Sequence, residues 1–287
     1  MRPTTYRCVD FKREPIQLWE WTYATLSIKN DWGEDCTGFL VGRKVSDVYD
    51  YKIFLVSNKH TLPKEPNLRE KTSEITLHCN IRGPDNATIG KAVTLPLHFD
   101  DGGRIWREHA DRDVDVMAFD VTSLIVDNPQ MQWRFAAYSD FGDKDKLEAL
   151  DITIAEDILV VGYPSGLTQG TANLPLVRSG IIATRIGEQF KDEIEENGVT
   201  RRRTIRGFLI DGATIPGSSG SPVVLKPSAI RVLKGAIHGN VSPPVLLLGI
   251  IAETKYAPVS RYIKSFAGLG VAFDAETIKE TIELFFQ

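Results

Sequence analysis

The chain has 287 residues, enough for one large domain or two small ones. Its hydrophobic content of 42% and charged content of 25% are those of an ordinary globular protein. A net charge of −4 gives no drive toward nucleic acid or an anionic membrane surface, and no run approaches the roughly 18 apolar residues of a membrane span.

Short apolar runs between turn signals dominate the chain, and long helical periods are few. In order they are Trp21–Ile28, Gly38–Val41, Lys52–Ser57, Ile75–Asn80, Ala92–Leu97 and Val114–Phe119. A polar stretch follows over 130–151 and reads as a linker. Beyond it come Asp157–Gly162, Leu176–Arg185, Thr204–Asp211, Ser221–Leu225, Val232–His238, Leu246–Ile251 and Gly270–Phe273. Many short strands with Gly and Pro punctuation predict an antiparallel sandwich or barrel. Trp19, Trp21 and Tyr23 suggest a docking strand near the start. The tail predicts a helix, with Asp274 as N-cap, Glu276 in the first turn and apolar residues at 278, 282 and 285. Arg201-Arg202-Arg203 reads as a solvated hairpin loop facing the acidic stretch 192–196.

Pro216-Gly217-Ser218-Ser219-Gly220-Ser221-Pro222 carries the chemistry. Glycine beside a serine lets successive N–H groups point into one small space, an arrangement that stabilises an oxyanion. A serine hydroxyl is a weak nucleophile and needs an adjacent base. His60 closes one apolar run and Asp115 opens another, so the candidates appear in the order His60, Asp115, Ser219. That is one of three unrelated orders that assemble a Ser-His-acid triad. The order required by an α/β-hydrolase fails, because the segment between Ser219 and His238 holds no Asp or Glu. Asp113 is the alternative acid. Choosing it would leave Asp115 two residues into the following strand on the same face, where a second buried carboxylate is costly without a partner.

Here the chain resembles the trypsin-like serine peptidases of the chymotrypsin fold, bacterial type. Cys36-Thr37-Gly38-Phe39-Leu40-Val41, Val161-Gly162-Tyr163-Pro164 with Val177-Arg178-Ser179-Gly180-Ile181-Ile182, Gly249-Ile250-Ile251-Ala252 and Gly268-Leu269-Gly270-Val271 fit that family in order. Leu209-Ile210-Asp211-Gly212 through Gly217 is similar to the approach to the serine in the high-temperature-requirement proteases. The resemblance implies an all-β fold of two antiparallel six-stranded barrels with a C-terminal helix. Residues 1–135 would carry His60 and Asp115, and residues 136–287 the linker, Ser219 and the helix. It implies an oxyanion hole of the Gly217 and Ser219 N–H groups. Ala213 would form the base of the specificity pocket, with Ala252, Glu253 and Thr254 along its wall. An uncharged base favours small or medium apolar P1 residues. Ser218 stands where digestive members carry an aspartate that pairs with a freshly cut N-terminus, so no such salt bridge is expected. Ser221 replaces the usual glycine. Asp211 reads as a structural acceptor.

The expected function is therefore that of a serine endopeptidase acting on protein or peptide substrates, with no metal, no organic cofactor, no nucleic-acid partner and no membrane. The competing reading is a catalytically inactive barrel pair that serves as a binding module. Cys8, Cys36 and Cys79 form no disulfide framework and no metal spacing. Thr61 stands where secreted members have a cysteine after the histidine. With no apolar h-region in Met1-Arg2-Pro3-Thr4-Thr5, this predicts a reducing, cytoplasmic setting.

Overall fold

The computed structural model describes residues 9–10, 15–30, 35–46, 50–63, 66–99, 101–196, 199–212, 214–233, 236–239, 245–258 and 264–287. Among them the expected docking strand at the start is instead helical, with a 3-10 turn Leu18–Glu20 running into Trp21–Ala24 before the strand Thr25–Lys29. Aromatic spacing at i, i+2 and i+4 mimics a strand, but only Trp21 goes inside. Its ring meets Phe39 edge-on at 6.1 Å, while Trp19 is left 57% exposed.

The first half is a nine-stranded sheet built around Asp35–Lys44. That strand pairs with Thr25–Lys29 on one side and with Asp50–Ser57 on the other. Glu74–Arg82 and Thr88–Pro96 extend the sheet beyond the first neighbour, and Met117–Asp120 and Trp106–Glu108 beyond the second. One register matters for function. Ser57 lies opposite Met117 in the antiparallel pair, so the chain leaving one strand and the chain entering the other emerge at the same edge.

In the second half the strands close into a six-stranded barrel. Its order is Asp157–Gly162, Leu176–Ile182, Gly207–Asp211, Lys264–Asp274, Leu247–Pro258 and Pro222–Leu225, which returns to the first. Closure removes the unpaired edges that an open sheet would leave. Two expected barrel segments differ in part or whole. The segment read as Thr204–Asp211 is divided: Gly207–Asp211 is in the barrel, while Thr204 and Ile205 end the strand Val199–Ile205, which pairs with Phe190–Glu196. The segment read as one strand over 232–238 is a hairpin, Ile230–Leu233 with Ala236–Gly239. The polar stretch over 130–151 holds a short strand, Ala136–Ala137, and a helix, Lys144–Ala149, capped by Asp143.

One hydrophobic cluster crosses between the halves, joining Phe39, Phe54, Val56 and Val116 to Val161, Ile250 and Phe273. The helix Ala275–Glu283 completes it. Asp274 caps the helix by accepting from the Thr277 N–H at 3.2 Å, and Ile278 and Ile282 are fully buried. Each such isoleucine stabilises the fold by about 1.5–3 kcal/mol. Phe285 packs on Phe54 of the first half, with ring centroids 4.9 Å apart. Glu283 takes two hydrogen bonds from Arg43, and Glu280 takes two from Arg206 and one from His109. The helix thus ties both halves together.

Candidate active site

His60 sits in the 3-10 turn Lys59–Thr61, directly after the strand Asp50–Ser57. Asp115 precedes Met117–Asp120 by two residues, so the strand register delivers both to one edge. His60 Nδ1 and Asp115 Oδ2 are 2.7 Å apart. The Lys59 N–H donates to Asp115 Oδ1 at 2.7 Å, and Asn58 Nδ2 donates to the Asp115 carbonyl at 2.7 Å. Burial acts to raise the Asp115 pKa, but the charge and hydrogen bond of His60 and the Lys59 N–H outweigh it and hold the group below its ordinary value. Asp115 is therefore an ionised acceptor, which places a proton on His60 Nδ1 and turns Nε2 toward other work. Asp113 is engaged differently: Arg201 Nη1 lies 2.7 Å from its Oδ1.

Ser219 donates its hydroxyl to the Ala252 carbonyl at 3.2 Å. The loop around it is fastened from several sides. Ser165 N–H donates to Pro216 O at 2.8 Å, Thr37 Oγ1 to Gly217 O at 2.8 Å, Ser221 N–H to Ser218 O at 3.0 Å and Thr37 N–H to Ser219 O at 3.0 Å. Of the N–H groups from Gly217 to Ser221, that of Ser218 goes to Ile215 O, that of Gly220 to Ile251 O and that of Ser221 to Ser218 O. Only the Gly217 and Ser219 N–H groups have no acceptor among the described residues. Gly217 adopts φ +85°, and a Cβ there would meet Tyr163 O at 2.5 Å, so both its conformation and its neighbour demand glycine.

These elements match a known family. Residues 36–228 fit the trypsin-like peptidase domain. The chain belongs to the trypsin-like peptidases. Among solved structures it is similar to the active form of Rv3671c protease from M. tuberculosis, at 14% identity over 91% of this chain and 80% of that one, TM-score 0.47. It is also similar to HBP, at 10% identity over 95% of each chain, TM-score 0.47. No curated protein matches its sequence.

In this trypsin-like peptidase the residue in place of the usual glycine has a counterpart. Ser221 is fully buried and its hydroxyl lies over Gly162, where a Cβ would come within 1.9 Å of Ser221 Oγ. The side chain added at one position fits because none exists at the other. Thr37 is the supporting residue that sequence reasoning passed over, although it lies inside a segment it singled out. Its neighbours carried the pattern, and no local signal marks a side chain that works across the fold. Asp211, read as a structural acceptor, sits at the end of its strand and pairs in register with Leu269.

Ala213 lies outside the described residues. Next to it, Thr214 is buried and its carbonyl accepts from Thr254 Oγ1 at 3.1 Å. Glu253 is taken up by Arg203, with Nη1 and Nη2 each 2.5 Å from a carboxylate oxygen. Arg203 also donates twice to Asp192. This corrects the solvated-loop reading of the arginine cluster: Arg201–Arg203 lie within a strand, and the Arg203 side chain is only 7% exposed. Arg202, paired with Glu193, is the member that faces solvent. Beside the site a cleft of about 1340 Å³ is bounded by His60, Leu62, Asp115, Ala252, Glu253 and Arg203. His109 borders the same cleft but is held by Glu280 through Nε2 and by the Asp111 N–H through Nδ1.

Proposed function

We propose that this peptidase is a serine endopeptidase in which Ser219 is the nucleophile, His60 the general base and acid, and Asp115 the orienting carboxylate. The observation that carries the reading is the pattern of unspent groups around Ser219. Within a loop whose other amides are engaged, the Gly217 and Ser219 N–H groups are the donors left without an acceptor among the described residues. They are suited to receive the oxygen of a tetrahedral intermediate.

The reaction follows from these positions. The Ser219 hydroxyl leaves the Ala252 carbonyl, turns toward the substrate and attacks the scissile carbonyl carbon as its proton passes to His60 Nε2. The imidazolium so formed is stabilised by Asp115 through Nδ1–H. The carbonyl oxygen becomes an oxyanion held by Gly217 and Ser219 N–H. His60 returns its proton to the departing amine, leaving an acyl-enzyme on Ser219 Oγ. Water, activated by His60, then hydrolyses the ester and restores the serine.

The preferred P1 residue is small or medium and apolar. Glu253, the carboxylate best placed to attract a basic side chain, is committed to Arg203, which supports this preference. The division of labour follows the halves, with His60 and Asp115 from residues 1–135 and Ser219 from residues 136–287. Cys79 is a buried thiol, and burial pushes its pKa up to about 12. An unreactive thiol of this kind is consistent with a reducing, cytoplasmic setting. No helix among the described residues is long and apolar enough to cross a membrane.

Labelling with a fluorophosphonate reagent tests the assignment. The wild-type chain is expected to label on Ser219, Ser219→Ala not at all, and His60→Ala far more slowly. A wild-type chain that stays unlabelled would overturn the reading in favour of a binding module.

A further inference from the structure

We propose that Arg178 is a positioning residue for the oxyanion loop, holding Ser218 and through it the flanking Gly217 and Ser219 N–H groups. The inference rests on the serine-endopeptidase reading above. Ser218 stands between the two donors and is 1% exposed. A hydroxyl so buried needs partners. It accepts from Arg178 Nη2 at 2.8 Å and from the Ile215 N–H at 3.2 Å, while its own N–H donates to Ile215 O at 2.9 Å.

The reason such a tie is needed lies in the backbone. Gly217 at φ +85° has access to more conformations than any other residue type, so the loop gains from ties beyond its own hydrogen bonds. If the peptide unit between Ser218 and Ser219 turned over, a carbonyl would replace the Ser219 N–H in the site. Within the loop the Ser221 N–H opposes this by donating to Ser218 O at 3.0 Å, and further ties come from outside it. Thr37 and Ser165 hold the carbonyls of Gly217 and Pro216, and Arg178 holds the side chain of Ser218 that follows them. Arg178 is itself rigidly mounted, on the barrel strand Leu176–Ile182, where it lies in register opposite Val160. A hydrogen bond from a guanidinium to a hydroxyl is charge-assisted and roughly twice as strong as a neutral one. The arrangement requires no carboxylate at Ser218 and no ammonium from a cut chain end. The arginine supplies the charge internally.

The experiment compares Arg178→Ala, Arg178→Lys, Ser218→Ala and the Arg178→Ala/Ser218→Ala double variant of the full chain. The readouts are kcat and KM on an apolar-P1 peptide ester, and affinity for a peptide boronate, whose tetrahedral adduct uses the oxyanion hole. Binding of the corresponding product peptide, which does not use it, is the control. Arg178→Ala is expected to lower kcat about 10- to 100-fold, less than the loss of a donor itself. KM and product affinity should stay within about twofold, and boronate affinity should fall by the same factor as kcat. Arg178→Lys should recover part of the loss, and the double variant should be no worse than either single one, because both remove the same contact. If Arg178→Ala does not fold, Ser218→Ala must show the kcat loss alone. Unchanged kcat and boronate affinity, or a rise in KM alone, would overturn this inference while leaving the peptidase reading in place. A wild-type chain that neither reacts with fluorophosphonate nor binds boronate would overturn both.

Discussion

The two halves bring their shares of the proposed site by different means. His60 and Asp115 arrive on adjacent antiparallel strands of one sheet, and the pairing of Ser57 with Met117 alone brings them within reach of each other. Their support is nearby too, from Asn58 and the Lys59 backbone. Ser219 stands on a loop whose shape is imposed from a distance. Thr37, 180 residues earlier in the chain, reaches Gly217 O, and Arg178 reaches Ser218 from another strand. The first arrangement depends on register and is hard to perturb without breaking the sheet. The second depends on a few side chains, so the proposed activity can be lost while the fold survives.

The largest effect expected from this contrast falls on the acid. Asp115→Asn keeps the volume but removes the charge that fixes the His60 tautomer, and kcat should drop by about 10³- to 10⁴-fold. Asp113→Asn, which removes the charge that faces Arg201 and Arg112, should change kcat less than about threefold. Steady-state kinetics on the two purified variants checks this. Comparable losses would mean that the loop acts as a unit and that the His60 contact has no privileged role.

A smaller effect is expected where the halves of the serine site meet. Gly162→Ala should destabilise by about 1–3 kcal/mol, because the new methyl meets Ser221 Oγ. Adding Ser221→Gly should restore most of that, since it clears the space. Chemical denaturation of the single and double variants measures the coupling. Additive losses would show that the two positions do not share one volume.

The smallest effect concerns the helix that joins both halves. Hydrogen bonds from Arg43 lower the Glu283 pKa, and those from Arg206 lower that of Glu280, in each case against the opposing effect of burial. A carboxyl depressed in the folded state stabilises above its unfolded pKa of about 4.3, and that contribution is lost as pH falls through the folded value. Both groups are about a third or more exposed, so screening limits the contribution to less than about 1 kcal/mol each. Thermal melts from pH 6 to pH 3 should show the wild type losing its advantage over Glu283→Gln as the solution is acidified below about pH 4.3. A gap that is constant with pH would assign the difference to packing.

Much of this molecule could be read from local pattern. Apolar runs with turn punctuation marked most strands, Asp274 and the spacing of Ile278 and Ile282 marked the last helix, and the serine loop was recognisable from its glycines. These features are short-range: a strand alternates, a helix repeats, a cap sits beside what it caps. The start of the chain misled for the same reason, since Trp19, Trp21 and Tyr23 have the spacing of a strand while the burial of Trp21 against Phe39 selects a helical turn.

The sequence by itself determined the residue types available for chemistry, their order, and the backbone freedom at Gly217. Tertiary structure decided which partners those residues meet. It set Asp115 against His60 and Asp113 against Arg201, gave Glu253 to Arg203 from 50 residues away, and placed Ser221 over Gly162. The physical reason is that a side chain's partner across a fold depends on strand register and barrel closure. Those are set by the burial of the whole apolar set, and no window of neighbouring residues contains that information.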